Sequence, residues 1–99
     1  MTRFHIHKLK GRDGFIMDLQ ADLLDSLETR VVAPLVPVVE IGPVFVKLSP
    51  RVEIEGQAYY ILIPSMASVP KRLIGESVLN LSHHSAEITA ATDFLFQGF

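Results

Sequence analysis

Six prolines, Pro34, Pro37, Pro43, Pro50, Pro64 and Pro70, fall between residues 34 and 70, and none lies outside that stretch. Proline fixes φ and has no N–H to donate, so the interior of a helix cannot hold it. The centre of the chain must therefore be extended or turning, and it reads as short strands interrupted by edges and bends. The two proline-free ends, Met1–Ala33 and Lys71–Phe99, are free of that restriction.

Apolar spacing fills in the elements. Phe4, Ile6 and Leu9 share one phase of an alternating strand, which leaves His5, His7 and Lys10 outside it. Gly11-Arg12-Asp13-Gly14 is a turn cluster, and Phe15–Leu19 returns from it, so a hairpin is expected. Asp22–Leu27 suits a helical turn or a loop with apolar residues exposed. The run Arg30–Val39 is β-branched and carries two prolines, which predicts an edge or bulged strand. Val44–Leu48, Val52–Glu55 and Ala58–Ile63 read as further strands, with Gly56-Gln57 as a tight turn between the last two. Ser65–Pro70 and Arg72–Ile74 complete the β portion.

The period changes after Ser82. Ile88, Ala91, Leu95 and Phe99 recur at steps of three and four, which predicts a helix from about His83 to about Phe96. Ser82 or Ser85 is placed to cap its first turn, and Glu87 lies near the positive end of its dipole. Many short strands and one terminal helix make a small β-barrel or barrel-like α+β domain. At 99 residues there is room for one domain, spanning 1–99.

The helix end carries a surplus of aromatic surface. Three of the six phenylalanines lie in the last six residues. Phe94, Leu95 and Phe96 advance about 100° each around the axis, whereas a helix on one sheet buries a single stripe. One of these rings must meet a second surface or stay in water. The α-carboxylate after Phe99 also opposes the dipole, and residues 73–99 contain no Lys or Arg to offset it. Phe96 and Phe99 either fold back on the barrel, form a seam between two copies, or plug a partner.

Composition narrows the functional classes. Lys plus Arg is 9 and Asp plus Glu is 11, a formal net charge of −2, which gives no electrostatic reason to coat a nucleic acid. Zero cysteines exclude disulfides, thiolate zinc sites and a cysteine nucleophile. A small domain without staples commonly associates. No run approaches the roughly 18 apolar residues of a membrane span, and the start has no apolar core of a signal peptide, so a cytoplasmic protein is expected.

His5 and His7 share a strand face but lack a third ligand, and read as exposed strand histidines without a metal. His83 and His84 would point about 100° apart on a helix and so not converge on one ion. Ser82, His83 and Glu87 imitate a hydrolase triad without a nucleophile turn, and no phosphate-cradling glycine motif is present. Asp18, Asp22, Asp25 and Glu28 match no calcium loop and read as a solvated face. No catalytic residue and no cofactor are expected.

Ordered blocks along nearly the whole chain resemble the CcdB family, the toxin half of a bacterial toxin–antitoxin pair. They are Phe4, Asp18-x-Gln20-x-Asp22-Leu23-Leu24-Asp25 and Arg30-Val31-Val32-x-Pro34-Leu35 at the front. At the back come Met66-Ala67-Ser68-Val69-Pro70, Ile74-Gly75-Glu76-x-Val78-x-x-Leu81-Ser82-His83, and Glu87-Ile88-x-x-Ala91-x-x-Phe94-Leu95-x-x-Gly98-Phe99. The resemblance implies an SH3-like small β-barrel with a long C-terminal helix, paired as a homodimer. It implies a protein that performs no chemistry: it binds the A subunit of DNA gyrase and traps the enzyme with its DNA cut. A cognate CcdA-like antitoxin would wrap the toxin and remove it from gyrase, and together they would repress their own operon, so DNA is met only through that complex.

Carried over by position, the gyrase-facing residues are Phe4, His7, Ala21, Leu23, Asp93, Gln97, Gly98 and Phe99. The family's best-known ending is Trp-Gly-Ile, whereas this chain ends Gln97-Gly98-Phe99. Gln97 lacks the aromatic surface that commonly makes a hot spot. His7 stands for an aromatic residue, Ala21 for a serine and Asp93 for an asparagine. Two other readings use the same barrel. One is an RNase toxin of the MazF type, with Arg30, Arg51, His5 and His7 as candidate catalytic groups. The other is a non-poisoning paralogue that binds antitoxin alone, which Gln97 favours.

Overall fold

The computed structural model describes all 99 residues, Met1–Phe99. Seven strands form one curled antiparallel sheet: β1 (His5–Leu9), β2 (Phe15–Asp18), β3 (Thr29–Pro37), β4 (Arg51–Ile54), β5 (Gln57–Ile61), β6 (Ala67–Pro70) and β7 (Ile74–Asn80). Their order is β4-β5-β3-β2-β1-β7, with β6 also paired to β3. One helix, α1 (Ser85–Gln97), follows the last strand. This curled half-barrel sheet with its one terminal helix is consistent with the expected small SH3-like barrel and C-terminal helix.

The main core fills the hollow of the sheet. Ile6, Met17, Ala33, Ile61, Ile63 and Leu81 meet Ile88 and Ala91 of α1 there. The helix lies over the 3₁₀ turns Val46–Leu48, Ile63–Ser65 and Ser82–His84. Its apolar positions at 88, 91 and 95 form the inward stripe that the spacing requires. A smaller cluster, Ile16, Val32 and Ile74, holds Leu9 and Val69 separately from that core.

The β1–β2 hairpin forms as expected, with Ile6 opposite Met17 and His7 opposite Ile16. Several other expectations need correction. Arg30–Pro37 of the Arg30–Val39 run lies in the middle of the sheet rather than at an edge, because β3 pairs with β2, β5 and β6, and Val38 and Val39 pass into a 3₁₀ turn. Pro34 is tolerated because its carbonyl accepts from Leu62 N–H at 2.9 Å, so its ring nitrogen faces that same edge of the strand. Opposite Leu62 it lacks the N–H that would complete the pair, and it stands where the β6 pairing has ended at Val32 and the β5 pairing starts at Leu35, so the missing bond falls at the seam between two ladders.

Val44–Leu48 is not a strand. It passes into the 3₁₀ turn Val46–Leu48, with Phe45 and Val46 exposed, because no neighbouring strand accepts its backbone. The β4–β5 turn falls on Glu55-Gly56, one residue earlier than expected. Both residues have positive φ, 53° and 79°, as a two-residue type I′ turn demands. Arg72 and Leu73 belong to the 3₁₀ turn Lys71–Leu73, and β7, which spacing did not reveal, runs on to Asn80.

The alternation assigned to β1 also breaks. The β1–β7 register shifts on both sides of His7, as at a β-bulge. His7 is 5% exposed, so it is a buried residue and not one of two open strand histidines. Leu9 packs on the smaller cluster rather than with Ile6, since an odd and an even position of a strand face opposite sides of the sheet. At the helix start, neither Ser82 nor Ser85 caps. Asn80 Oδ1 accepts from Ser82 N–H at 2.8 Å, and His84 precedes α1 without a side-chain cap.

Candidate interaction site

The helix end projects as the surplus of aromatic residues suggested. Phe94 turns inward and meets Phe45 with ring centroids 5.6 Å apart, while Lys47 Nζ stands 5.4 Å from the same ring. Leu95 covers the core. Phe96 is 72% exposed and Phe99 85%. Gly98 ends the helix in the left-handed region at φ 81°, donating its N–H to Phe94 O at 2.9 Å. Glycine enters that region without a Cβ clash and so turns the chain off the helix axis. An apolar groove of about 480 Å³ lies beside this end, lined by Val46, Lys47, Pro50, Ala90, Phe94 and Phe99 among others.

A second exposed element lies between β2 and β3. The 3₁₀ turn Asp22–Leu24 buries none of its residues, and Leu23 is 91% exposed. Beneath it is a buried ion pair. Arg30 and Asp18 are both fully buried; Arg30 Nε donates to Asp18 Oδ1 at 3.1 Å, and Nη2 donates to Asp18 Oδ2 and to Gln20 O at 3.0 Å. Asp18 is therefore not part of a solvated acidic face. Asp25, half-exposed, receives the Met1 ammonium at 2.8 Å, Lys71 Nζ at 3.3 Å and Arg30 Nη1 at 3.4 Å. The ammonium of Met1, and after it that of Lys71, hold the Asp25 carboxyl below its ordinary range.

The eight sequence-predicted residues thus fall into three local groups. Asp93, Gln97, Gly98 and Phe99 are exposed on the helix end, and Ala21 and Leu23 on the turn. Phe4 and His7 are buried at the start of β1. Phe4 holds a left-handed backbone at φ 70°, bonded on both sides: its N–H donates to Asp18 O at 2.7 Å and its carbonyl accepts from Leu81 N–H at 2.9 Å. Such a conformation costs a non-glycine residue about 1–2 kcal/mol. The junction ties β1, β2 and the entry to α1 together.

Chemistry has little to work with. Arg30 is locked in its ion pair and His7 Nδ1 bonds Gly75 O at 2.9 Å, so two of the four groups considered for RNA cleavage are out of reach of a substrate. His5 Nδ1 bonds Ser77 Oγ at 2.8 Å. The rings of His83 and His84, both in the 3₁₀ turn Ser82–His84, do come together, with centroids 4.3 Å apart. His84 Nδ1 lies 3.5 Å from Glu87 Oε2.

A model of the CcdB protein family matches residues 3–98, nearly the entire chain. The chain belongs to the CcdB family. Its class is therefore the toxin of a toxin–antitoxin pair, and the target of that class is DNA gyrase. Partners of two kinds follow for a CcdB chain in general, an antitoxin and gyrase. No helix here is long and apolar enough to cross a membrane. The polar clamps under the Leu23 turn are what sequence reasoning missed. The only trace of them in the sequence is that Asp18, Gln20 and Arg30 sit among residues that strands bury.

Proposed function

We propose that this chain acts by occupancy: its helix end and the Leu23 turn bind the A subunit of DNA gyrase and trap the enzyme with its DNA cut. Ala21, Leu23, Asp93, Gln97, Gly98 and Phe99 make the contacts, and Phe4 and His7 hold the strand beneath them. The observation that carries this reading is the end of α1, where Phe96 and Phe99 stand in water although the helix has a core to pack against. Large exposed rings at a helix tip fit a partner pocket better than they fit solvent. The protein makes no bond and breaks none. It works in the cytoplasm as a homodimer; a cognate antitoxin wraps the dimer, lifts it from gyrase and joins it in repressing their operon.

The test is direct. Purified protein, gyrase and supercoiled plasmid are incubated and then treated with detergent and protease. Linear DNA is the expected product, and removal of Gly98 and Phe99 abolishes it. Undiminished linear DNA from the truncated protein, or degraded RNA in place of cut plasmid, would overturn the proposal. Gln97, lacking the ring that the family's ending carries, favours one second reading: a paralogue that binds antitoxin and leaves gyrase alone. That variant gives no linear DNA at any concentration yet still forms the antitoxin complex.

A further inference from the structure

We propose that Lys71 is a positioning residue that pins the Leu23 turn in the geometry that meets gyrase, an inference that rests on the contact set proposed above. The turn cannot hold itself in place by burial. Leu23, Leu24 and Leu27 are all exposed, Leu23 almost completely. Its backbone is held from beneath by polar groups instead.

Lys71 follows β6 directly. Its N–H donates to Glu28 O at 2.8 Å, while its Nζ donates to the Asp25 carbonyl and stands 3.3 Å from Asp25 Oδ1. One residue from a distant part of the chain thus holds both Asp25 and Glu28. On the inner side, the buried amide of Gln20 donates to Leu24 O and Thr29 O, both at 3.2 Å, and accepts from Val31 N–H at 3.1 Å. Outside, the Met1 ammonium meets Asp25 Oδ1 at 2.8 Å and Arg3 N–H donates to Asp22 Oδ1 at 2.6 Å. Of these outer clamps, Lys71 is the one whose side chain reaches the turn's backbone and can be removed by a single substitution. Its side chain is 33% exposed, and losing the ammonium leaves the Asp18–Arg30 pair and the Gln20 bonds untouched.

A turn ordered in advance does not have to be ordered on binding. If the unpinned turn keeps its binding geometry a tenth of the time, the affinity measured for the partner falls about tenfold. The methionine variant Lys71→Met keeps the length of the stem and deletes the charge and its donors.

The experiment compares four proteins for affinity toward the gyrase A subunit: the unaltered chain, Lys71→Met, Leu23→Ala and the double variant. Amide hydrogen exchange across residues 22–28 is followed in parallel. Lys71→Met is expected to speed that exchange and weaken binding about tenfold, and to add almost nothing once Leu23 is already alanine. A purely structural lysine would weaken both backgrounds equally. Equal losses in the two backgrounds, or unchanged affinity of Lys71→Met beside a weakened Leu23→Ala, overturn the pin and leave the contact set standing. Unchanged affinity of Leu23→Ala overturns the contact set itself, and the pin with it.

Discussion

Replacing Arg30 by methionine isolates the costliest polar feature of this fold. The guanidinium is fully buried and makes three hydrogen bonds at or below 3.1 Å, two to Asp18 and one to Gln20 O, with Asp25 Oδ1 farther off at 3.4 Å. Arg30→Met leaves the Asp18 carboxylate, itself fully buried, with one remaining donor, the Gln20 N–H at 3.1 Å. Removing one member of such a pair costs about 3–5 kcal/mol, chiefly through the charge left behind. Domains of this size are stable by about 5–15 kcal/mol, so the variant loses a fifth or more of its margin. At roughly 4–8 °C per kcal/mol, the melting point falls by at least about 12 °C. Asp18→Leu should cost a similar amount by stranding the guanidinium. The double variant replaces a buried pair with apolar side chains and should cost clearly less than the two single losses together, a coupling near the top of the usual range of about 0.5–3 kcal/mol. Urea denaturation of the four proteins, with equal m-values as a check on the unfolded state, measures the cycle. Additive losses, or an Arg30→Met penalty below about 1 kcal/mol, would refute the claim that the pair is dry and mutually dependent.

Three further outcomes follow from single positions. A Cβ on Gly75 would lie 2.8 Å from the Lys8 carbonyl oxygen, a backbone atom that moves only with β1, so Gly75→Ala should lower the urea midpoint by an amount worth about 1–3 kcal/mol. Gly98 has open space around it but φ of 81°, so Gly98→Ala is disfavoured by backbone strain of about 1–2 kcal/mol; plasmid linearisation should weaken with alanine and persist with D-alanine at position 98, which accepts positive φ. Asp25 has its carboxyl lowered by the Met1 ammonium and Lys71, so its contribution to stability is full above the ordinary carboxylate range and fades as pH falls through the lowered value. Asp25→Asn should therefore flatten the acid side of a plot of urea midpoint against pH, by a small amount because the group is half in water.

The parts of this molecule that were legible in its sequence are those held by burial. Ile88, Ala91 and Leu95 announce α1 by period, and the hairpin from β1 to β2 follows from alternation around a glycine turn. The helix tip was legible for the opposite reason, as more aromatic surface than one stripe can cover. What misled were features whose meaning depends on a distant partner. Pro34 marks an edge until it is known that two different strands meet β3 on either side of it. Val44–Leu48 has strand residues but no strand to join. The bulge that buries His7 exists only in the pairing with β7. The Leu23 turn belongs to the same class. An element whose leucines stand exposed cannot also use them for its own packing, so its order must come from hydrogen bonds and charges supplied by Met1, Arg3, Gln20, Arg30 and Lys71. Hydrophobic periodicity carries no record of such bonds. The contact surface proposed for this binder is therefore the part whose residues are easiest to name and whose supports are hardest to foresee.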